Sequence, residues 1–283
     1  LLKNSLKSHL WKVILLALAV PFFIYSIGIE PNELVVRNYD IAIPRWPAKL
    51  NGLKIAVLTD IHAGVLFIDT PKMRKIVDDT NATNPDLIFI LGDFIAGHTR
   101  IRHITPDEIM GALGGLKAKY GVYAVLGNHD WWYNGKAMQA AIHKTDIHLL
   151  ENAAQPVDIN GERIWIAGIE DMWTRRPNFM QALADVPDGA PVLALTHNPD
   201  IFVKSPETIN CLFAGHTHGG QVRLPVVGTL IVPSDFDSRF VQGHIIESGK
   251  HMFVSSGIGT SVAPIRFCVP PEISVVKLEG QNQ

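Results

Sequence analysis

Cysteine is scarce: Cys211 and Cys268 are the only two in 283 residues, and both lie inside apolar runs rather than in a Cys-x-x-Cys pair. A disulfide framework or a thiolate metal site is therefore not what organises this chain, and buried free thiols are expected. Excess charge is also missing. The formal net charge is -2, so no basic field advertises nucleic acid. Beyond about Pro47 there is no repeat, linker or low-complexity segment. The glycine-rich stretch Gly257-Ile258-Gly259-Thr260 lacks the pattern of a phosphate loop and reads as a turn or one wall of a cleft.

One long apolar run stands out. Val13 to Ile29 carries no charge, follows Lys3, Lys7 and Lys12, and is closed by Glu30. At about 1.5 Å per residue it spans most of a hydrocarbon layer about 30 Å thick. Trp11 and Tyr25 suit the two interfaces, and Pro21 is tolerated better in lipid than in water. A cleaved secretory signal has the same basic start and apolar middle. No clear small-x-small site follows Ser26-Ile27-Gly28, so a retained anchor over residues 1–30 is expected. The three lysines favour an amino terminus in the cytoplasm and a catalytic domain outside it, as in a single-pass protein of a bacterial inner membrane. Arg37, Arg45 and Lys49 blunt that bias.

Residues 31–52 read as a connecting strand and linker, and residues 53–283 as one catalytic domain. From Leu53 onward apolar β-like runs alternate with helices: Leu53 to Leu58, Asp86 to Leu91, Gly121 to Leu126, Arg163 to Ala167, Val192 to Leu195 and Ile209 to Ala214. Thr70-Pro71 and Thr105-Pro106 each open a helix with a threonine cap, and a third helix is expected over Gly135 to Thr145. Short strands follow Gly219: Leu230-Ile231-Val232, Phe240 to Ile246, Met252 to Ser255 and Ile273 to Leu278. Alternation of this kind implies an α/β fold with a covered sheet, and the β-rich tail suggests a second one. The expected architecture is a four-layer αββα sandwich after one N-terminal transmembrane helix.

Polar clusters interrupt this pattern where the apolar runs end: Asp60-Ile61-His62, Gly92-Asp93, Gly127-Asn128-His129-Asp130, Thr196-His197-Asn198 and Gly215-His216-Thr217-His218-Gly219. Ligands of α/β sheets bind beyond the carboxyl ends of strands, and all five clusters fall there. Residues two apart on extended chain point the same way, so Asp60 and His62 can share a metal, and His216 and His218 can reach neighbouring ions. Oxygen and imidazole donors without thiolate suit two divalent ions, manganese first, with iron or zinc as alternatives. Two carboxylates against two dications leave surplus positive charge to hold a phosphate and to acidify a bound water.

These five blocks resemble those of the calcineurin-like metallophosphoesterases over roughly Leu53 to Leu278. Thr196 to Asp200 and Gly215 to Pro225 look closer still to bacterial membrane-associated phosphodiesterases, a group that includes UDP-2,3-diacylglucosamine hydrolases. The resemblance implies a metallo-dependent phosphatase fold and a division of ligands. Asp60, His62 and His218 would hold one ion, Asn128, His197 and His216 the other, and Asp93 both. His129 would touch the phosphate or protonate the leaving oxygen, and Asp130 would support the ligands. Where the family's phosphoprotein phosphatases carry Asp-Arg after Gly-Asp-(Tyr/Phe)-Val, this chain has Ala96-Gly97, which argues against phosphoprotein substrates.

The expected activity is hydrolysis of a phosphoester, with a lipid-linked substrate such as UDP-2,3-diacylglucosamine favoured. A broad phosphodiesterase or phosphomonoesterase on soluble or envelope substrates is the alternative. A non-catalytic scaffold should have lost ligands, and none is missing. Arg223 is a candidate phosphate contact, and Trp131, with Trp132 and Tyr133, a candidate cleft wall. No role is read for His9, His98, His103, His143, His148, His244 or His251.

Overall fold

A computed structural model describes residues 2–97 and 103–281. The apolar N-terminal segment forms α1 (Leu2–Phe23), continued by a wider π-type turn over Ile24–Ile29. Pro21 lies inside α1, three residues before that change of pitch at Ile24, and removes one hydrogen bond from the helical ladder. By length and composition Trp11–Asn32 can cross a membrane, with a mean hydropathy of 2.2.

Thereafter the chain runs β1 (Val35–Ile43), β2 (Leu53–Leu58), α2 (Thr70–Ala82), β3 (Leu87–Leu91), α3 (Pro106–Leu113), β4 (Val122–Val125), α4 (Asn128–Ile142) and β5 (Ile147–Leu149). It continues with β6 (Ala153–Ile159), β7 (Glu162–Gly168), α5 (Phe179–Ala182), β8 (Val192–Leu195) and β9 (Cys211–Ala214). A small hairpin of β10 (Arg223–Leu224) and β11 (Gly228–Thr229) precedes β12 (Gly243–Glu247), β13 (Lys250–Val254) and β14 (Glu272–Gly280).

Two six-stranded sheets result, in the orders β1-β14-β2-β3-β4-β5 and β12-β13-β9-β8-β7-β6. Strands β2 to β5 are mutually parallel, as are β7, β8, β9 and β13. Parallel strands buried on both faces read as unbroken apolar runs, which is why Leu53–Leu58, Leu87–Leu91 and Val192–Leu195 were plain in the sequence. The inner faces of both sheets share one apolar cluster. Val57, Phe89 and Val125 of the first belong to it with Ile166, Leu195, Phe213 and Phe253 of the second. Phe89 and Phe213 meet edge to face with centroids 5.1 Å apart. On the outer face of the first sheet, Ile76, Ile109 and Met138 of α2, α3 and α4 pack with Ala56, Ile88 and Ala124. The outer face of the second sheet is covered more thinly, by the four-residue α5 and by irregular chain carrying Phe202 and Phe240.

Several expectations change. The tail does not build a sheet of its own: β12 and β13 join the second sheet, whereas β14 inserts between β1 and β2 of the first. Residues 31–52 do not merely connect, because β1 pairs in parallel with β14 from Val35 to Ile43. The segment Leu230-Ile231-Val232 is no strand; it follows the β10–β11 hairpin with Leu230 and Ile231 exposed. The stretch α4 is broken at Asn134 (φ -175°, ψ 85°): the helix expected from Gly135 starts there, with Asn134 Oδ1 accepting the Ala137 N–H, and an unexpected helical turn from Asn128 precedes it, where the Asp130 carboxylate accepts the Gly127 N–H. The cap of α2 is Asp69, which accepts from the Lys72 N–H, and not Thr70. Cys211 is buried as expected, but Cys268 is exposed.

Candidate metal centre

The five polar clusters come from two sheets. Strands β2, β3 and β4 of the first deliver Asp60 with His62, Asp93, and Asn128 with His129. Strands β8 and β9 of the second deliver His197, then His216 with His218. All lie just past strand carboxyl ends, and cross-bonds stitch the two sides together. The Asp60 N–H donates to Gly92 O, and the His62 N–H to Asp93 O. The His216 N–H donates to Asp60 Oδ2 at 2.9 Å.

Each carboxylate has one oxygen pinned and one presented. Asp60 Oδ2 accepts from His216 N and from the Thr59 hydroxyl, leaving Oδ1 buried without a hydrogen-bond partner. That Oδ1 lies 3.3 Å from His218 Nε2 and 3.9 Å from His62 Nε2. Asp93 Oδ1 accepts the His129 N–H at 2.8 Å. Its Oδ2 stands between the two groups of imidazoles, 3.5 Å from His62 Nε2 and 3.2 Å from His197 Nε2. His216 Nδ1 lies 3.1 Å from His197 Nε2, and His62 Nε2 3.1 Å from His218 Nε2. Asp60, His62 and His218 thus offer ligand atoms within 4.8 Å of one another, and so do Asp93, His197 and His216. Asn128 lines the same cleft, with Oδ1 buried and unpartnered.

The backbone is held in the left-handed region to achieve this. Asp60, His62, Asp93, His216 and His218 have φ between 48° and 70°. For residues with a Cβ that conformation costs energy, and the packed strand ends impose it. Two glycines make the crowding possible. A Cβ on Gly127 would lie 2.2 Å from Asp93 Oδ1, and one on Gly215 would lie 2.0 Å from Thr59 Oγ1.

Electrostatically the site favours added positive charge. Burial raises the pKa of Asp60 and pushes those of His62, His216 and His218 well below the ordinary imidazole value. Burial opposes the charge of Asp93 too, but His197 and His62 outweigh it and hold that carboxylate low. Burial would also lower His197, yet Asp93 lifts it to about 10. The His197 Nδ1 faces Leu91 O at 2.7 Å and donates its proton to that carbonyl, so Nε2, 3.2 Å from Asp93 Oδ2, is the nitrogen whose proton a cation would replace. Beside His197, the uncharged nitrogens of His62, His216 and His218 converge with the carboxylate oxygens, and buried acceptors in that arrangement call for cations. The donor set fits hard or borderline divalent ions, and two groups meeting at Asp93 fit a pair.

A family model for calcineurin-like phosphoesterases matches residues 53–220. The chain belongs to this family. Its members are metal-dependent phosphoester hydrolases that use a dinuclear divalent centre. Among characterised and uncharacterised relatives, an uncharacterised metallophosphoesterase of Bacillus subtilis is 28% identical over 91% of this chain and 90% of its own. The UDP-2,3-diacylglucosamine pyrophosphatase LpxG of Chlamydia trachomatis is 25% identical over 93% of this chain and 94% of its own. A transmembrane protein with metallophosphoesterase domain from Danio rerio is 27% identical over 88% of this chain and 58% of its own.

Around this phosphoesterase centre the remaining candidates separate. His129 projects into the cleft, with Nδ1 3.1 Å from the Ala96 carbonyl and Nε2 3.3 Å from Ser261 Oγ. At position 96 it is thus a backbone carbonyl and not a carboxylate that meets the His129 ring. Asp130 accepts from the N–H groups of Asp93, Ile95 and Gly127, tying two motif loops together. Burial and the neighbouring Asp93 raise its pKa to about 8. Trp131 is not a cleft wall: it packs against the first outer core with Arg175 over its ring, and Trp132, one position on, faces the cleft instead. Arg223 is exposed on β10, outside the cleft lining. His98 and the side chain of His9 lie outside the described residues.

Three contributors escaped the sequence reading. Trp173 lines the cleft and meets the His216 ring edge-on with centroids 4.3 Å apart. Buried Asp171 positions it by accepting the N–H groups of Trp173 and Thr174. The available signal was Gly168-Ile169-Glu170-Asp171 at the end of β7, another polar strand end. Arg266 is fully buried, and its guanidinium donates to the carbonyls of Ser256, Gly257, Gly259 and Val269. Its loop lies against Asp60: the Gly259 N–H donates to Asp60 O at 2.6 Å, and Ile258 to Thr59 O.

Proposed function

We propose that this chain is a membrane-anchored phosphodiesterase or pyrophosphatase acting on a lipid-linked phosphoester. Its two ions, manganese by donor chemistry with iron or zinc able to substitute, are held by Asp60, His62 and His218, and by Asn128, His197 and His216, with Asp93 serving both. Bound there, they would supply Lewis-acid stabilisation of phosphoryl oxygens and a water acidified toward neutral pH. His129, oriented through Nδ1 by the Ala96 carbonyl, presents Nε2 to the cleft and passes a proton to the departing oxygen. Asp130 keeps the loops of Asp93 and Asn128 in register. No side-chain nucleophile is needed, so the configuration at phosphorus should invert.

The observation that carries the substrate class is the cleft itself. It encloses about 630 Å³ above the centre and is walled by Trp132, Trp173, Leu230, Ile231, Val262 and Ile265. Such walls suit acyl chains better than a small hydrophilic ester. The relative named as a UDP-2,3-diacylglucosamine pyrophosphatase makes that nucleotide lipid the first candidate. Lys3, Lys7 and Lys12, ahead of the apolar run from Val13, favour a domain outside the cytoplasm, which would put the substrate among envelope lipids instead.

The test uses manganese-loaded full-length protein, assayed for metal content and for turnover of bis(p-nitrophenyl) phosphate, UDP-2,3-diacylglucosamine and its deacylated counterpart. Preference for the acylated compound supports the reading. Equal turnover with and without acyl chains leaves a broad phosphodiesterase. Removal of residues 1–21 should spare the soluble ester and slow the acylated substrate in vesicles. A cut after Glu30 is too long, because the Glu30 carboxylate accepts the N–H groups of Cys268 and Val269.

A further inference from the structure

The end of the anchor is fastened to the rim of the cleft. The carbonyl of Ser26, fully buried, accepts the Arg266 N–H at 2.9 Å. Glu30, 1% exposed, accepts from Cys268 and Val269. The Phe22 ring packs on Phe267 with centroids 4.8 Å apart, and Tyr25 meets the same ring edge-on at 6.2 Å. Phe267 is bonded in turn to the base of the β10–β11 hairpin: its N–H donates to Gln221 O, and the Arg223 N–H donates to its carbonyl. Gln221 accepts from the Ser261 N–H through its side chain. Anchor, hairpin and the loop over Ser261–Ile265 therefore leave one common knot.

From that knot a set of apolar side chains projects into solvent. Val226 and Val227 form the hairpin tip, Leu230 and Ile231 follow it, and Val262 tops the neighbouring loop, with relative exposures of 108%, 67%, 60%, 80% and 89%. Between Val222 and Pro233 the only charge is Arg223, and between Ser261 and Ile265 there is none. Val226 and Val262 also have φ of 69° and 65°. Glycine or asparagine would occupy those turn positions without strain, so the strain is carried by β-branched side chains that stay exposed among the described residues.

We infer that the hairpin tip and the loop at Val262 dip into the bilayer that the anchor spans, so that the cleft opens onto the membrane surface. The inference rests on the anchoring reading and extends it from tethering to orientation. A flexible tether would leave the cleft free to face any direction, whereas the Phe22, Ser26 and Glu30 contacts fix the apolar rim beside the helix where it leaves the lipid. Valines and isoleucine bury in the boundary between headgroups and acyl chains, and Arg223 can meet lipid phosphates from the base of the hairpin. Leu230, Ile231 and Val262 belong both to this rim and to the cleft walls, so acyl chains would pass from lipid to site without crossing water.

The experiment uses the full chain with Cys268→Ser, reconstituted in phosphatidylcholine–phosphatidylglycerol vesicles. An environment-sensitive fluorophore is placed singly through Val226→Cys, Val262→Cys or Met180→Cys, the last on an exposed site of α5. Phosphatidylcholine brominated on its acyl chains should quench the labels at 226 and 262 several-fold more than the label at 180. If the protein floats with the vesicles but all three labels are quenched alike, the rim does not enter the bilayer and the inference fails while the anchor stands. Failure to float overturns the anchoring reading and the inference with it. As an independent arm, Val226→Asp with Val227→Asp should leave bis(p-nitrophenyl) phosphate turnover unchanged and slow UDP-2,3-diacylglucosamine hydrolysis in vesicles several-fold. Unchanged rates on both substrates would also overturn it.

Discussion

Replacing Arg266 by lysine keeps a positive charge and removes a shape. The guanidinium reaches four backbone carbonyls, those of Ser256, Gly257, Gly259 and Val269, from three nitrogens spread in one plane. An ammonium has three donors on a single atom and cannot span that arc, so about two carbonyls lose their partner. A hydrogen bond to a charged group contributes about 1.5–3 kcal/mol, and breaking a buried charged network costs about 3–5 kcal/mol in all. For a chain of this size each kcal/mol moves the melting temperature by about 2–4 °C, so Arg266→Lys should melt roughly 6–20 °C lower. The loss reaches the centre, because the freed loop is the one whose Gly259 and Ile258 N–H groups hold Asp60 and Thr59. Scanning fluorimetry on detergent-solubilised full-length protein, with metal content measured on the same sample, reads both effects. Melting within about 2 °C of the parent, with metal content unchanged, would refute the idea that guanidinium geometry supports the site.

Asp93→Ala removes the carboxylate standing between both imidazole groups, and should lower bound metal and turnover by orders of magnitude; two retained ions at near-normal rate would show the pairing at Asp93 to be wrong. His129→Ala should keep its metal and lose about 10²–10⁴-fold in rate, least for esters with good leaving groups. Equal losses across a leaving-group series would instead assign His129 to charge stabilisation. Stability in acid should report the pair His244–His251, whose ring nitrogens lie 3.0 Å apart. Burial holds both below the ordinary imidazole value, with His251 adding to the effect on His244, which falls to about 4. The unfolded chain then takes up protons first below about pH 6.5, so this stability is present above that pH and lost as it falls toward 4. Urea midpoints at pH 7 and pH 5 should therefore differ less in His244→Gln than in the parent; an equal difference would remove the pair from the explanation.

The strands that carry the site were legible because local chemistry alone specifies them. A strand buried on both faces must be apolar throughout, so β2 and β8 could be bounded from sequence at both ends. The capping box at Thr105 and Glu108 is equally local, a pair of hydrogen bonds within one turn. The polar clusters at strand ends were legible for the same reason, and the fold brings their side chains together. Boundaries failed where a distant residue sets them. The helical turn that runs from Asn128 to the break at Asn134 was not foreseen, because Asp130 serves the loops of Asp93 and Ile95 as well as its own turn, and no local pattern reveals that duty.

Only the tertiary structure decided that the two halves of the site come from different sheets, closed face to face over a shared apolar cluster. It also decided that Trp132 and Trp173 wall the cleft while Trp131 packs inward, since a one-residue step on a helix turns a side chain by about 100°. The seating of Ser26 and Glu30 against residues 266–269 spans most of the chain's length, and nothing near either segment encodes it. Short-range periodicity and capping are properties of neighbouring residues and survive in the sequence. Which strand lies beside which, and which side chain finds the cleft, depend on burial shared among segments far apart, and that is settled only when the chain closes on itself.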